Sequence, residues 1–209
     1  LGGQDAKIIF FRKDEKTGDL NVADMRMNGS CAGGTGAFID EVASILKVPV
    51  EELNALAEKG GFTYDISGRC GVYAKTDIQP LLNQGVARAD LALSSFHAIA
   101  KQTIGGLAQG LEIRKPVAFE GGPLTFNPTL IQVFAKRLKL SGEDVIIPER
   151  PELMVAYGAA ISLESMFENR RRILDTGELL ETLRSPSFQA KSGQGEEARP
   201  FFASEEEKA

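Results

Sequence analysis

The chain has 209 residues, a formal charge of −5, 43% apolar and 25% charged residues, two cysteines and one histidine. One domain of ordinary globular composition fits these values, and the acidic balance argues against a nucleic-acid partner. A disulfide scaffold, a histidine-rich metal site and a repeated Cys/His zinc module are excluded. No run of about 18 apolar residues spans a membrane and no signal peptide opens the chain, so a reducing, cytoplasmic setting is expected.

Lys7 to Arg12 are β-prone, Asp14 to Asp19 read as a turn, and Leu20 to Met27 alternate loosely. A strand pair is expected here. Asn28-Gly-Ser-Cys31-Ala-Gly-Gly-Thr-Gly36 follows, with four glycines in nine residues. Such density marks a loop that approaches something closely or needs positive φ. Phe38, Val42 and Ile45 then step at helical spacing. Pro49, Glu51 and Glu52 open a short helix to about Lys59. Gly60 to Gly71 form a second glycine-bearing connection that holds Cys70, followed by a helix from about Tyr73 to Asn83.

Leu93, Phe96, Ala100, Ile104, Leu107 and Leu111 predict one long helix with a single buried stripe. Pro116 to Phe119 read as a buried strand entering Gly121-Gly122. Leu130, Phe134 and Leu138 mark a helix and Val145 to Ile147 a strand. Leu153, Ala156, Ala160, Leu163 and Phe167 mark a last helix from Pro151. Two leading strands, a helical insertion and a strand–helix–strand–helix end predict an α/β layer architecture. From Thr176 the chain turns polar, and Gln189 to Ala209 read as a linker or tail.

Both cysteines precede predicted helices, where N–H groups and the helix dipole favour a thiolate or an anionic cluster. Two thiolates do not complete a four-ligand site, but a dimer or a second copy of the domain would double them. From spacing alone, two small, buried, inert cysteines is the simpler reading, and a disulfide is the least favoured. Gly2-Gly3-Gln4-Asp5 is either a tight turn or a strip that a phosphate can approach. In the second case the Asp5 carboxylate holds a Mg-bound water or orients an attacking one. Gly121-Gly122-Pro123 is either a plain strand-to-helix turn or a place for a flat adenosine to lie on exposed backbone. Neither a GxxxxGK[ST] nor a GxGxxG pattern is present.

Taken in order, five segments resemble the CoA-substrate-specific enzyme activases, the BadF/BadG/BcrA/BcrD ATPase family. They are Gly2-Gly3-Gln4-Asp5, Met27 to Gly36 around Cys31, Gly68 to Asp77 around Cys70, Phe119 to Pro123, and Tyr157-Gly-Ala-Ala160. The likeness covers roughly residues 1 to 165, is most specific at the cysteine motifs, and looks closest to the long two-module members.

The resemblance implies an α/β fold: the second half of an actin-like, sugar-kinase-like ATPase built on a ribonuclease-H-like domain with a helical insertion. Residues 1–175 would form that half, with the insertion at about 35–112, and 176–209 a tail or inter-module linker. Gly2, Gly3, Gln4 and Asp5 would form the second phosphate motif for ATP with Mg, with Asp5 catalytic. Gly121, Gly122 and Pro123 would form the adenosine motif, Pro123 standing where short members often carry a small apolar residue. The family's first phosphate motif is not in the chain. The resemblance therefore implies a piece of a longer protein that alone is inactive and binds nucleotide weakly.

Cys31 and Cys70 would each supply a ligand to a 4Fe–4S cluster shared with a homodimer mate or a second activase module. The implied activity is ATP-driven electron delivery from a reduced carrier, ferredoxin or flavodoxin. Its recipient would be a 2-hydroxyacyl-CoA dehydratase or an aromatic acyl-CoA reductase. A carbohydrate or N-acetylhexosamine kinase of the same fold, without a cluster, is the rival reading, and a non-catalytic assembly module the third. Among smaller features, His97 reads as structural. Asp40 and Glu41 read as solvent-facing, Lys75 and Asp77 as a solvated helix start or partner contact, and Arg170 to Arg172 as an exposed helix end.

Overall fold

The computed structural model describes residues 1–29, 33–166 and 175–185. Cys31, Phe167, Arg170 to Arg172 and Gln189 to Ala209 lie outside them. The chain forms two compact units, Leu1–Ala159 and Ala160–Ala209.

The expected hairpin is present. Strand β1 (Lys7–Lys13) pairs antiparallel with β2 (Leu20–Met27), with a bulge between Phe10 and Phe11. The Asp14 carboxylate closes its turn by accepting the Lys16 and Thr17 backbone N–H groups at 2.7 and 3.1 Å, which holds the carboxyl below its ordinary range. Helix α1 (Gly36–Leu46) buries Phe38, Ile39, Val42, Ala43 and Leu46. It ends where Lys47 turns left-handed and the Val48 N–H reaches back to the Ala43 carbonyl at 3.0 Å. A 3₁₀ turn over Val50–Glu52 leads into α2 (Leu53–Ala57), and α3 (Gly71–Asn83) begins directly after Cys70.

The long helix is shorter than its periodicity predicts. Helix α4 (Arg88–Thr103) gives way to a π-helical turn over Ile104–Ala108. Gly105 and Gly106 weaken the α-helical ladder there, and Gln109 and Gly110 at positive φ end it. Leu107 stays buried, but Leu111 lies beyond the break and is exposed. Strands β3 (Val117–Ala118) and β4 (Val145–Ile146) pair in parallel. Between them run α5 (Gly122–Thr125) and α6 (Pro128–Leu138).

The core lies where α1, α2, α4 and α6 meet, around Phe38, Val42, Leu53, Leu91, Phe96, Ile99, Leu130 and Phe134. Each such side chain contributes about 1.5–3 kcal/mol by leaving water. Phe119, just after β3, packs on Phe134 with ring centroids 5.9 Å apart. Polar ties fix the connections to this core. Asp90 accepts the Gly61 and Phe62 N–H groups, Ser94 accepts that of Tyr64, and Asn54 accepts that of Thr129.

Helix α7 (Met154–Met166) follows a 3₁₀ turn at Pro151–Leu153. The helix expected from Leu153, Ala156, Ala160 and Leu163 is present, but those four residues are exposed, as are Val155, Tyr157 and Ile161. In the second unit, α8 (Thr176–Arg184) forms within the stretch read as polar, with the Asp175 carboxylate accepting the Gly177 and Glu178 N–H groups. Among the described residues, no helix is long and apolar enough to cross a membrane.

Candidate nucleotide and thiolate site

Three glycine strips separated by many residues in sequence converge. Gly2 to Asp5 form a closed turn, with the Gly2 N–H donating to the Asp5 carbonyl at 2.7 Å. The N–H groups of Gly36 and Ala37, the first two of α1, donate to the carbonyls of Gly2 and Gly3 at 3.0 and 2.6 Å. Gly36 is wedged in place: a Cβ there would stand 3.1 Å from both Gly3 Cα and Pro123 Cγ. The Leu1 backbone nitrogen donates to the Glu120 carbonyl at 2.7 Å, and the Gly121 N–H to the Pro151 carbonyl at 2.9 Å. The phosphate-type turn, the start of α1 and the Gly121-Gly122-Pro123 turn therefore share one main-chain surface. Gly3 faces open space.

Asn28, at the end of β2, clamps that turn. Its Oδ1 accepts the Ala6 N–H at 2.8 Å, its Nδ2 donates to the Gln4 carbonyl at 3.3 Å, and its own N–H donates to the Ala6 carbonyl. Sequence reading places Asn28 only inside a motif. The signal available was an amide side chain at the point where a strand must turn toward a glycine loop. Gln4 and Asp5 are exposed, and the Asp5 carboxylate lies 3.2 Å from Lys7 Nζ.

The two cysteine loops meet through their neighbours. A Cβ on Gly33 would be driven into the carbonyl oxygen of Arg69 and stand 2.6 Å from that of Gly68. Gly33 follows Cys31 by two residues, and Arg69 precedes Cys70 by one. Cys70 is the N-cap of α3, with extended backbone, and its thiol is free and half-buried. Cys31 itself lies outside the described residues; the leading N–H groups of α1, which begins at Gly36, donate to Gly2 and Gly3.

Asp77 is half-buried and accepts the Ser67 N–H at 2.8 Å, so it tethers the second cysteine loop and is no solvated helix start. Lys75 is exposed. Glu41 is exposed as expected, yet its side chain also lies against the Cα of Gly71, leaving no room for a Cβ there. Among the described residues, no three His, Cys, Asp or Glu side chains group as a metal site.

His97 is half-buried in a cleft of about 290 Å³ lined also by Tyr64, Asp65, Lys101 and Arg137. Burial, Lys136 and Arg137 lower its pKa from the ordinary 6.5. The folded state thus binds fewer protons here than the unfolded chain, so this contribution to stability is complete above about 6.5 and falls as the pH drops below it. His97→Gln is expected to flatten the thermal-melting profile in that window, as followed by circular dichroism; an unchanged profile refutes the assignment.

An α/β chain that brings glycine main chain from three strips onto one surface has the build of a nucleotide-binding half of an actin-like ATPase. Comparison with known proteins agrees: residues 1–162 match the BadF/BadG/BcrA/BcrD ATPase family, and the chain belongs to that family. It is 34% identical over 161 residues to the activator of lactoyl-CoA dehydratase from Anaerotignum propionicum, covering 77% of this chain and 58% of the relative. Two solved structures share the fold, each with a TM-score of 0.65. One is component A of the (R)-2-hydroxyglutaryl-CoA dehydratase of Acidaminococcus fermentans, at 30% identity, covering 77% of this chain and 58% of that one. The other is the activator of the 2-hydroxyisocaproyl-CoA dehydratase from Clostridium difficile with bound ADPNP, at 26% identity, covering 83% and 63%. The chain thus spans about 58% of the length of the curated relative it matches.

Proposed function

We propose that the full-length protein is an ATP-dependent activator of a CoA-ester dehydratase or reductase. The observation that carries this reading is the convergence of Gly2-Gly3, the start of α1 and Gly121-Gly122-Pro123 on one main-chain surface. A relative with ADPNP bound supports nucleotide as the ligand. The bare backbone of Gly2 and Gly3 admits a phosphate chain closely, and Gly121 and Gly122 admit the nucleoside. In this reading the Asp5 carboxylate, exposed beside Lys7, holds a Mg-bound water or orients the attacking water. Residues 1–209 alone hold one phosphate strip of the two that the family resemblance implies, and bind nucleotide weakly.

Cys70 suits a shared metal group: its thiol is reachable, at the start of α3, beside the Arg69 carbonyl against which Gly33 packs. Cys31 and Cys70 of two modules, in one chain or two, would hold a 4Fe–4S cluster, which when bound supplies one-electron transfer. The donor is a reduced ferredoxin or flavodoxin, the recipient a dehydratase or aromatic acyl-CoA reductase component, and the setting the cytoplasm. Residues 1–175 form the ATPase half and 176–209 the link onward.

The test is anaerobic purification of the full-length protein with iron and sulfide analysis, visible spectroscopy and an ATPase assay. A brown protein that hydrolyses ATP is expected. A colourless protein whose ADP release depends on an added amino sugar would overturn the reading in favour of a kinase. A colourless protein without ATPase activity would favour an assembly module.

A further inference from the structure

We propose that Phe126 is the stacking platform for the purine base of the nucleotide; this rests on the ATP-binding reading above. Phe126 is 72% exposed, although burying such a ring is worth about 1.5–3 kcal/mol. It stands directly after α5, whose first residue is Gly122. Its ring edge reaches over that glycine: a Cβ on Gly122 would lie 3.7 and 3.9 Å from Phe126 Cε2 and Cδ2, at ordinary contact distance. Gly122 has no side chain, so the exposed ring stands beside bare main chain.

The turn that carries the ring is hydrogen-bonded. The Phe126 N–H donates to the Gly122 carbonyl at 2.9 Å, the Thr125 hydroxyl to the Gly121 carbonyl at 3.0 Å, and Asn127 Nδ2 to the Pro123 carbonyl at 2.8 Å. A ring on a hydrogen-bonded turn leaves only its own side-chain rotation to be lost when a flat partner lands on it. The ring offers no charge or donor to a phosphate, whereas every base has a π-face. Pro123, three residues before Phe126, lies close to Gly36 and Gly3: a Cβ on Gly36 would stand 3.1 Å from Pro123 Cγ and from Gly3 Cα. A nucleotide with its phosphates at Gly2-Gly3 and its nucleoside against Gly121-Gly122 brings its base beside Phe126.

Titration calorimetry of the full-length protein tests this with ATP and with inorganic tripolyphosphate. Stacking on an aromatic side chain is worth about 1–3 kcal/mol per base, so Phe126→Ala is expected to weaken ATP about tenfold or more and leave tripolyphosphate unchanged. Phe126→Trp is expected to keep ATP affinity and to change its indole emission on adding ATP but not tripolyphosphate. Equal ATP affinity in the wild type and Phe126→Ala would overturn the platform and leave the nucleotide reading intact, as would equal losses for both ligands. A lower melting temperature of unliganded Phe126→Ala together with unchanged ATP affinity would assign the ring to covering by another segment of the protein. No ATP binding by the wild type would overturn both readings.

Discussion

Full-length protein carrying Cys70→Ser is expected to retain no cluster iron after anaerobic purification, with its melting temperature unchanged. The two readouts separate because of where Cys70 sits. It is the N-cap of α3, half-buried and outside the apolar core, and serine is among the best N-cap residues. The Cys70 side chain makes no capping hydrogen bond, so the substitution keeps size, loses no cap and removes the soft thiolate that iron–sulfur clusters require. Cys31→Ser is expected to give the same loss, since the proposed cluster, taking two thiolates from each of two modules, leaves no spare ligand. Iron content equal to that of the wild type in either variant would sink the ligand assignment. Iron loss accompanied by a large fall in melting temperature would reassign the cysteine to the fold.

Gly121→Ala is expected to destabilise the protein by about 3 kcal/mol or more, read as a lower urea midpoint at unchanged slope. Two costs add. Gly121 has φ +100° with ψ 157°, a region essentially reserved for glycine, worth about 1–3 kcal/mol to any other residue. A Cβ there would also be forced into the Leu1 carbonyl oxygen, a backbone atom that cannot rotate away, and overpacking of this kind costs about 1–3 kcal/mol. Gly3→Ala is the control: nothing lies within 4 Å of its added Cβ, so a stability change within about 0.5 kcal/mol is expected. Equal urea midpoints for Gly121→Ala and the wild type would refute the tight Leu1–Gly121 approach.

Together these substitutions distinguish what the glycines do. Gly121 and Gly33 are required by the fold, because backbone from another segment occupies the space of a side chain. Gly3 is open and available to a ligand.

Much of this was legible beforehand. Local hydrogen bonding makes the β1–β2 hairpin, and apolar spacing of three and four makes α1 and α6, so residue order alone was enough for those elements. The five ordered motifs were likewise enough to place the chain in its family, since glycine and cysteine spacing survives without coordinates.

Other features depend on contacts between segments many residues apart, which no local pattern encodes. The exposure of α7 is one, because apolar spacing states only that a face can be buried, not what covers it. The end of α4 at Thr103 is not: the apolar period runs on to Leu111, but Gly105 and Gly106 interrupt the ladder locally. Asp77 and Asn28 look like ordinary polar residues until Ser67, Gln4 and Ala6 arrive beside them. The amino-acid order by itself determined which residues could serve as strips, caps and thiols. Only the tertiary structure decided that Gly3, Gly36 and Pro123 touch, that the start of α1 is spent on Gly2 and Gly3, and that Phe126 stands uncovered beside Gly122. The reason is physical: helices and turns follow from neighbours along the chain, whereas a shared surface exists only once the core has closed and brought distant backbone within hydrogen-bonding reach.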